Sequence, residues 1–162
     1  MFRAVALVVV AVATADKPFA SKDGKFTAKF PGTPKEHTQQ AAGVKLYLFA
    51  LENKDGAYMA AYADMPIPQN ETDKEIETRL DGSRDGMVAN MKGKLTDEKK
   101  IKLDGKHLGR EVFADLPAKD GKVRARVYFV GTRLYQVMVV GKNDLLEAKA
   151  TTEFLDSLTL TK

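Results

Sequence analysis

Cysteine does not occur anywhere in this 162-residue chain. Its absence excludes disulfides, zinc–thiolate sites, cysteine nucleophiles and a lipid-modified cysteine, so packing alone must hold the fold. Histidine is nearly absent too, with only His37 and His107. His107 and Glu111 share a face of one predicted strand, yet residues four apart on a strand are separated by about 13 Å at ~3.3 Å per residue. They cannot chelate one ion, and a metal site would need residues from other strands. Neither a metal nor a cofactor is expected. Net charge is also small: 26 basic against 22 acidic side chains give +4, a balance that does not call for nucleic acid. No apolar run reaches the ~20 residues that cross a bilayer. There is no internal repeat, low-complexity segment or linker.

What is present begins at the N-terminus. Met1-Phe2-Arg3 is a short cationic head, Ala4 to Val12 is an uninterrupted apolar run, and Ala13-Thr14-Ala15 puts small residues at both positions a signal peptidase reads. This predicts a secretory signal peptide over residues 1–15, cleaved before Asp16. Cleavage leaves 147 of the 162 residues, with the charge lowered from +4 to +3 by the loss of Arg3. Residues 16–162 suit one domain with one real core. The expected product is exported, periplasmic or extracellular, with no transmembrane anchor after cleavage.

Asp-Gly recurs six times, mostly between stretches that alternate apolar and polar. Both residues tolerate positive φ, so the pattern predicts tight hairpins in an antiparallel sheet. The first strand is predicted over residues 25–30, ended by Pro31 and Pro34. Val44 to Leu51 reads as a buried strand, with Gly56 to Met65 as its hairpin partner. Thr72 and Glu75 then form a capping box, after which Ile76, Leu80, Met87 and Met91 fall on one helical face, with Gly93 as the expected cap. Gly82 and Gly86 interrupt this helix at about 1 kcal/mol each relative to alanine. They either let the helix approach the sheet closely or break it.

A four-strand meander follows: residues 95–103, 106–116, 122–130 and 133–140. The Asp104-Gly105 hairpin should place Leu103 opposite Lys106. Asp144 and Glu147 open a last helix whose Leu146, Ala150, Phe154 and Leu158 face inward. The fold class is α+β: an antiparallel sheet of N-terminal strands and a C-terminal meander, packed by a central and a C-terminal helix.

Phe30-Pro31-Gly32-Thr33-Pro34 after a short strand resembles the opening of PsbP-like domains. Val130-Gly131-Thr132-Arg133-Leu134-Tyr135-Gln136-Val137, followed by Phe154-Leu155-Asp156-Ser157-Leu158, is similar to their ending. That fold is shared by the photosystem II extrinsic subunit and the Ran-binding Mog proteins. The resemblance covers nearly the whole chain after residue 15 and implies a non-enzymatic accessory or binding domain. It carries no functional residue across, because these are hairpin and helix-end features.

Motifs for chemistry are scarce. Asp81 to Gly86 looks like the start of a calcium loop, but Lys92 stands where the bidentate carboxylate is needed. Ser83 is one place too early for a nucleophile elbow, and none of the five Gly-Lys pairs precedes Ser or Thr. No catalytic residue is expected. The candidate surface is basic: Lys122, Arg124 and Arg126 alternate along one strand, and Lys100 and Lys102 along another two strands away. Glu111 and Asp115 lie between them, so cross-strand pairing on a solvated sheet is the plain account. The functional account is an acidic ligand, an anionic envelope surface or a protein partner. Nucleic acid is disfavoured because Tyr128 alone supplies an aromatic there. All five tyrosines fall on predicted strands, where they pack a core edge or line a ligand groove.

The expectation is thus a non-catalytic exported binding or accessory domain with an unidentified protein or envelope partner. The rival is a carrier of a small apolar ligand between the sheet and the Ile76–Met91 helix, which requires a connected apolar volume of roughly 300 Å³ or more.

Overall fold

A computed structural model of the chain describes residues 17–162. The expected signal peptide and its cleavage point lie outside these residues. The strands are β1 (Phe19–Ser21), β2 (Phe26–Ala28), β3 (Lys35–Ala41), β4 (Val44–Asn53) and β5 (Gly56–Asp64). After helix α1 (Asp73–Asn90) come β6 (Lys94–Leu103), β7 (His107–Leu116), β8 (Gly121–Val130) and β9 (Arg133–Gly141). Two short helices, α2 (Asn143–Glu147) and α3 (Lys149–Asp156), and strand β10 (Thr159–Leu160) complete the chain.

Seven strands form one antiparallel sheet in the order β3-β4-β5-β9-β8-β7-β6. One face packs against α2, α3 and a small sheet of β1, β2 and β10. On the other face, α1 is the one helix among the described residues, and it packs on β6, β7 and β8. Alternation along the strands explains both layers. In β8, Val123, Ala125, Val127 and Phe129 join the α1 side, while Tyr128 joins the opposite core.

The α1 capping box forms as its sequence requires. Thr72 accepts from the Glu75 backbone N–H, and Glu75 accepts from the Thr72 N–H at 2.7 Å. The helix runs unbroken through Gly82 and Gly86. It ends with Lys92 at φ 52, not with Gly93, whose N–H donates to the Val88 carbonyl. Gly93 instead abuts β7, because an added Cβ would stand 3.1 Å from the Asp115 carbonyl oxygen.

Three expectations are corrected. Residues 25–30 shorten to β2, which joins the small sheet instead of the main one. β3 went unpredicted because all seven of its residues are exposed and polar patterning is absent. The expected final helix is two helices, separated at Ala148, where ψ reaches 143°. Leu146, Phe154 and Leu158 are buried as expected, but Ala150 is exposed.

A fourth correction has wider effect. Asp104 and Gly105 both have positive φ, and the Lys106 N–H donates to the Leu103 carbonyl at 3.1 Å. The turn is therefore the expected one, yet the ladder partner of Leu103 is His107, leaving Lys106 unpaired. A shift of one residue sends the side chains from Asp97 to Leu103 to the other face of the sheet, until the irregularity between Leu95 and Asp97 restores the expected register.

Candidate functional site

That shift divides the basic rows. Arg124 and Arg126 lie opposite Phe113 and Glu111, on the α3 side, as does Lys122 opposite Asp115. Lys100 instead lies opposite Arg110, and Lys102 opposite Leu108, on the α1 side. No single surface contains all five. Lys122 pairs with Asp115 at 3.0 Å, Arg124 with Glu111 at 2.9 Å, and Arg126 with Asp156 at 2.6 Å. Lys100 pairs with Glu77 at 2.9 Å. Lys122 thus pairs within the sheet, whereas Arg126 and Arg124, which also donates to Thr152 at 2.9 Å, tie α3 to it and Lys100 ties α1.

The other sequence candidates are scattered over the fold. Asp81 to Gly86 lies inside α1 and forms no loop. His37 is exposed on β3, and His107 is half-buried, with burial lowering its pKa. Among the described residues no cluster of three His, Asp or Glu is arranged to hold a metal ion. The tyrosines all join the aromatic core. Tyr47 stacks on Tyr62 with centroids 4.7 Å apart, and the Tyr135 hydroxyl donates to the Gly24 carbonyl at 2.6 Å.

The concave feature lies on the opposite face. One flank of α1 carries Glu77, Asp81 and Arg84, at helical spacings of four and three residues. Glu77 and Asp81 bond the buried Arg110 of β7, and Arg84 bonds Glu98 of β6 at 2.7 Å. Arg110 holds the Glu77 carboxyl below its ordinary value by a direct hydrogen bond, with Lys100 adding to the effect. This clamp draws the helix toward the β6 edge. Among the described residues, no helix lies over the other half of the seven-stranded face.

The uncovered half forms a groove of about 780 Å³. Its floor is Leu46 and Leu48 of β4, Met59 and Ala63 of β5, and Met138 of β9. The free flank of α1 forms one wall, with Arg79, Gly82, Ser83, Gly86 and Asn90 succeeding one another along it. Gln39 and Ala41 of β3 stand at the far rim, while Met65 and Ile67 contribute from the segment entering α1. Among the described residues Arg79 is the one ionisable residue of the lining, and both its bonds go to Glu71 at 2.5 Å. A second hollow, about 540 Å³ at the β7–β8 turn, is polar, with Asp115, Asp120 and Asp144 beside Lys122 and Lys142.

No family model and no curated protein matches the chain in sequence. A solved structure does match: cyanobacterial PsbP (CyanoP) from Synechocystis sp. PCC 6803, with a TM-score of 0.64 at 11% identity over 93% of this chain and 95% of that one. The chain has a PsbP-like fold. A protein from Bacteroides thetaiotaomicron VPI-5482 matches at a TM-score of 0.40 and 10% identity, over 91% of this chain and 49% of that one. Among the described residues no helix is long and apolar enough to cross a membrane.

In this PsbP-like fold, the sequence singles out the groove residues of α1, Gly82, Gly86, Met87 and Met91, but not those of the sheet. Ile76 to Met91 was correctly taken as a helix facing the sheet, but β3 and the methionines of β5 and β9 carried no signal of their own. One clue was present. Gly82 and Gly86 sit at an i, i+4 spacing, and an added Cβ at either would have nothing within 4 Å. Close approach to the sheet therefore does not explain them. Replacing each by alanine should stabilise the domain by about 1 kcal/mol through helix propensity alone. Urea denaturation of Gly82→Ala and Gly86→Ala checks this; a loss of stability would mean that the helix ordinarily bends there.

Proposed function

We propose that this chain is an exported, non-catalytic binding domain that carries a small apolar ligand in the groove between α1 and the β4–β5–β9 face. The observation carrying this reading is the groove volume, about 780 Å³, inside the ~300–1,000 Å³ range of small-molecule sites. The lining supports binding over catalysis, since its single charged side chain, Arg79, is occupied by Glu71. A general acid or base has no candidate there. An accessory role with an acidic envelope partner draws less support, because four of the five basic candidates, Lys100, Lys122, Arg124 and Arg126, are each paired with a carboxylate of this chain, Lys102 being the exception. Export rests on the Met1 to Ala15 pattern, and residues 16–162 are read as one domain.

Native mass spectrometry of the protein taken from its own envelope fraction tests both parts. The expected chain starts at Asp16 or within two residues of it and carries an organic-extractable adduct. Met1 retained on a cytosolic protein would overturn export. A ligand-free chain that also refuses every added apolar probe would overturn the carrier reading.

A further inference from the structure

Methionine and aromatic residues divide between the two faces of the sheet. The chain has six methionines, and the five among the described residues all line the groove: Met59, Met65, Met87, Met91 and Met138. They come from β5, the segment after it, α1 and β9, with Met59 and Met138 direct cross-strand partners. All five tyrosines, by contrast, belong to the core on the opposite face. Phe129 is the one aromatic residue in the groove lining. Flat rigid rings thus build the structural core, while thioether side chains, with three rotatable bonds and a polarisable sulfur, line the open site.

We propose that the groove receives a single long aliphatic chain, uncharged along its embedded length, with Gly82 and Gly86 forming its entry slot. The proposal rests on the carrier reading and specifies its ligand. A flexible chain presents no fixed shape, and a wall of methionines can follow it where a wall of aromatic rings would favour a planar ligand. Gly82 and Gly86 cost helix stability and serve no close packing. Their effect is to remove side chains at two successive turns of the wall, opening a slot about 6 Å long at 1.5 Å rise per residue. Charge points the same way. Arg79 is already bonded twice by Glu71, so a buried ligand charge would find no free counter-charge in the lining and would bear its full desolvation cost.

The test labels the methionine methyl groups of the exported chain with ¹³C and titrates it with tetradecanol, farnesol or 9-anthracenemethanol. Saturable shifts of groove methyl signals are expected with tetradecanol or farnesol, the two distinguishing a straight chain from an isoprenoid one, and none with the rigid aromatic alcohol. Gly86→Leu should weaken binding at least about tenfold. Gly86→Ala should bind within about threefold of the parent and melt no lower, showing that the leucine acts by filling the slot. Equal or tighter binding of 9-anthracenemethanol, or full affinity in a folded Gly86→Leu, would overturn the aliphatic-chain proposal while leaving a carrier. No methyl shift with any of the three alcohols would overturn the carrier reading as well.

Discussion

Replacing Arg110 by alanine is expected to destabilise the domain by about 3 kcal/mol, the scale for breaking a buried charge pair from one side. Arg110 is 2% exposed and bonds both Glu77 and Asp81, with Glu98 at 3.9 Å. Its removal leaves three partly exposed carboxylates close together without their shared cation. Lys100 and Arg84 supply partial compensation, which keeps the loss toward the lower end of the range. At this size such a change lowers Tm by roughly 6–12 °C. Arg110→Met restores the stem and separates packing from charge.

The same pair sets an acid dependence. Glu77 has its pKa depressed below its ordinary 4.5, first by Arg110 and then by Lys100. A depressed carboxylate contributes stability that is present above the unfolded value and lost as pH falls through the folded one. The gap between parent and Arg110→Met should therefore be constant above about pH 6 and narrow below about 4.5. Thermal melts from pH 3 to 7 check this. A gap that widens in acid would show that Glu77 does not depend on Arg110.

Phe26→Ala should cost about 4 kcal/mol, the middle of the range for buried aromatic truncation. Phe26 is 0% exposed, although β2 has only three residues. Its ring contacts Phe49, Tyr62 and Tyr135 at centroid distances of 5.8, 6.3 and 6.0 Å. Together with Phe19, which contacts Phe49 at 4.7 Å, it seats the small sheet on the large one. Loss of that ring should also release β10, which pairs with β2 through Leu160 opposite Phe26. Guanidinium denaturation measures the first effect and amide exchange at residues 159–160 the second. A cost below ~1 kcal/mol would mean that the small sheet contributes little to the fold.

Local signals were legible where local chemistry decides. The Thr72–Glu75 box started α1, and Gly131-Thr132 made the expected two-residue hairpin, with Val130 opposite Arg133. β1, β2 and β10 were illegible or misplaced because strands of two or three residues carry no periodicity. Ala148 broke the last helix without a glycine or proline to announce it.

By itself the sequence determined the α+β class, the meander, the helix between β5 and β6, and the absence of thiol chemistry. Each follows from residue type, spacing or capping within a short window. Tertiary structure alone decided the rest. Whether Lys100 joins Arg124 depends on one unpaired residue at Lys106, since side chains alternate with a period of two. The groove depends on the Arg110 and Glu98 clamp drawing α1 to one side of the sheet. Its methionines, spread from Met59 to Met138, share a wall only because β5 pairs with β9, a contact that no local window contains.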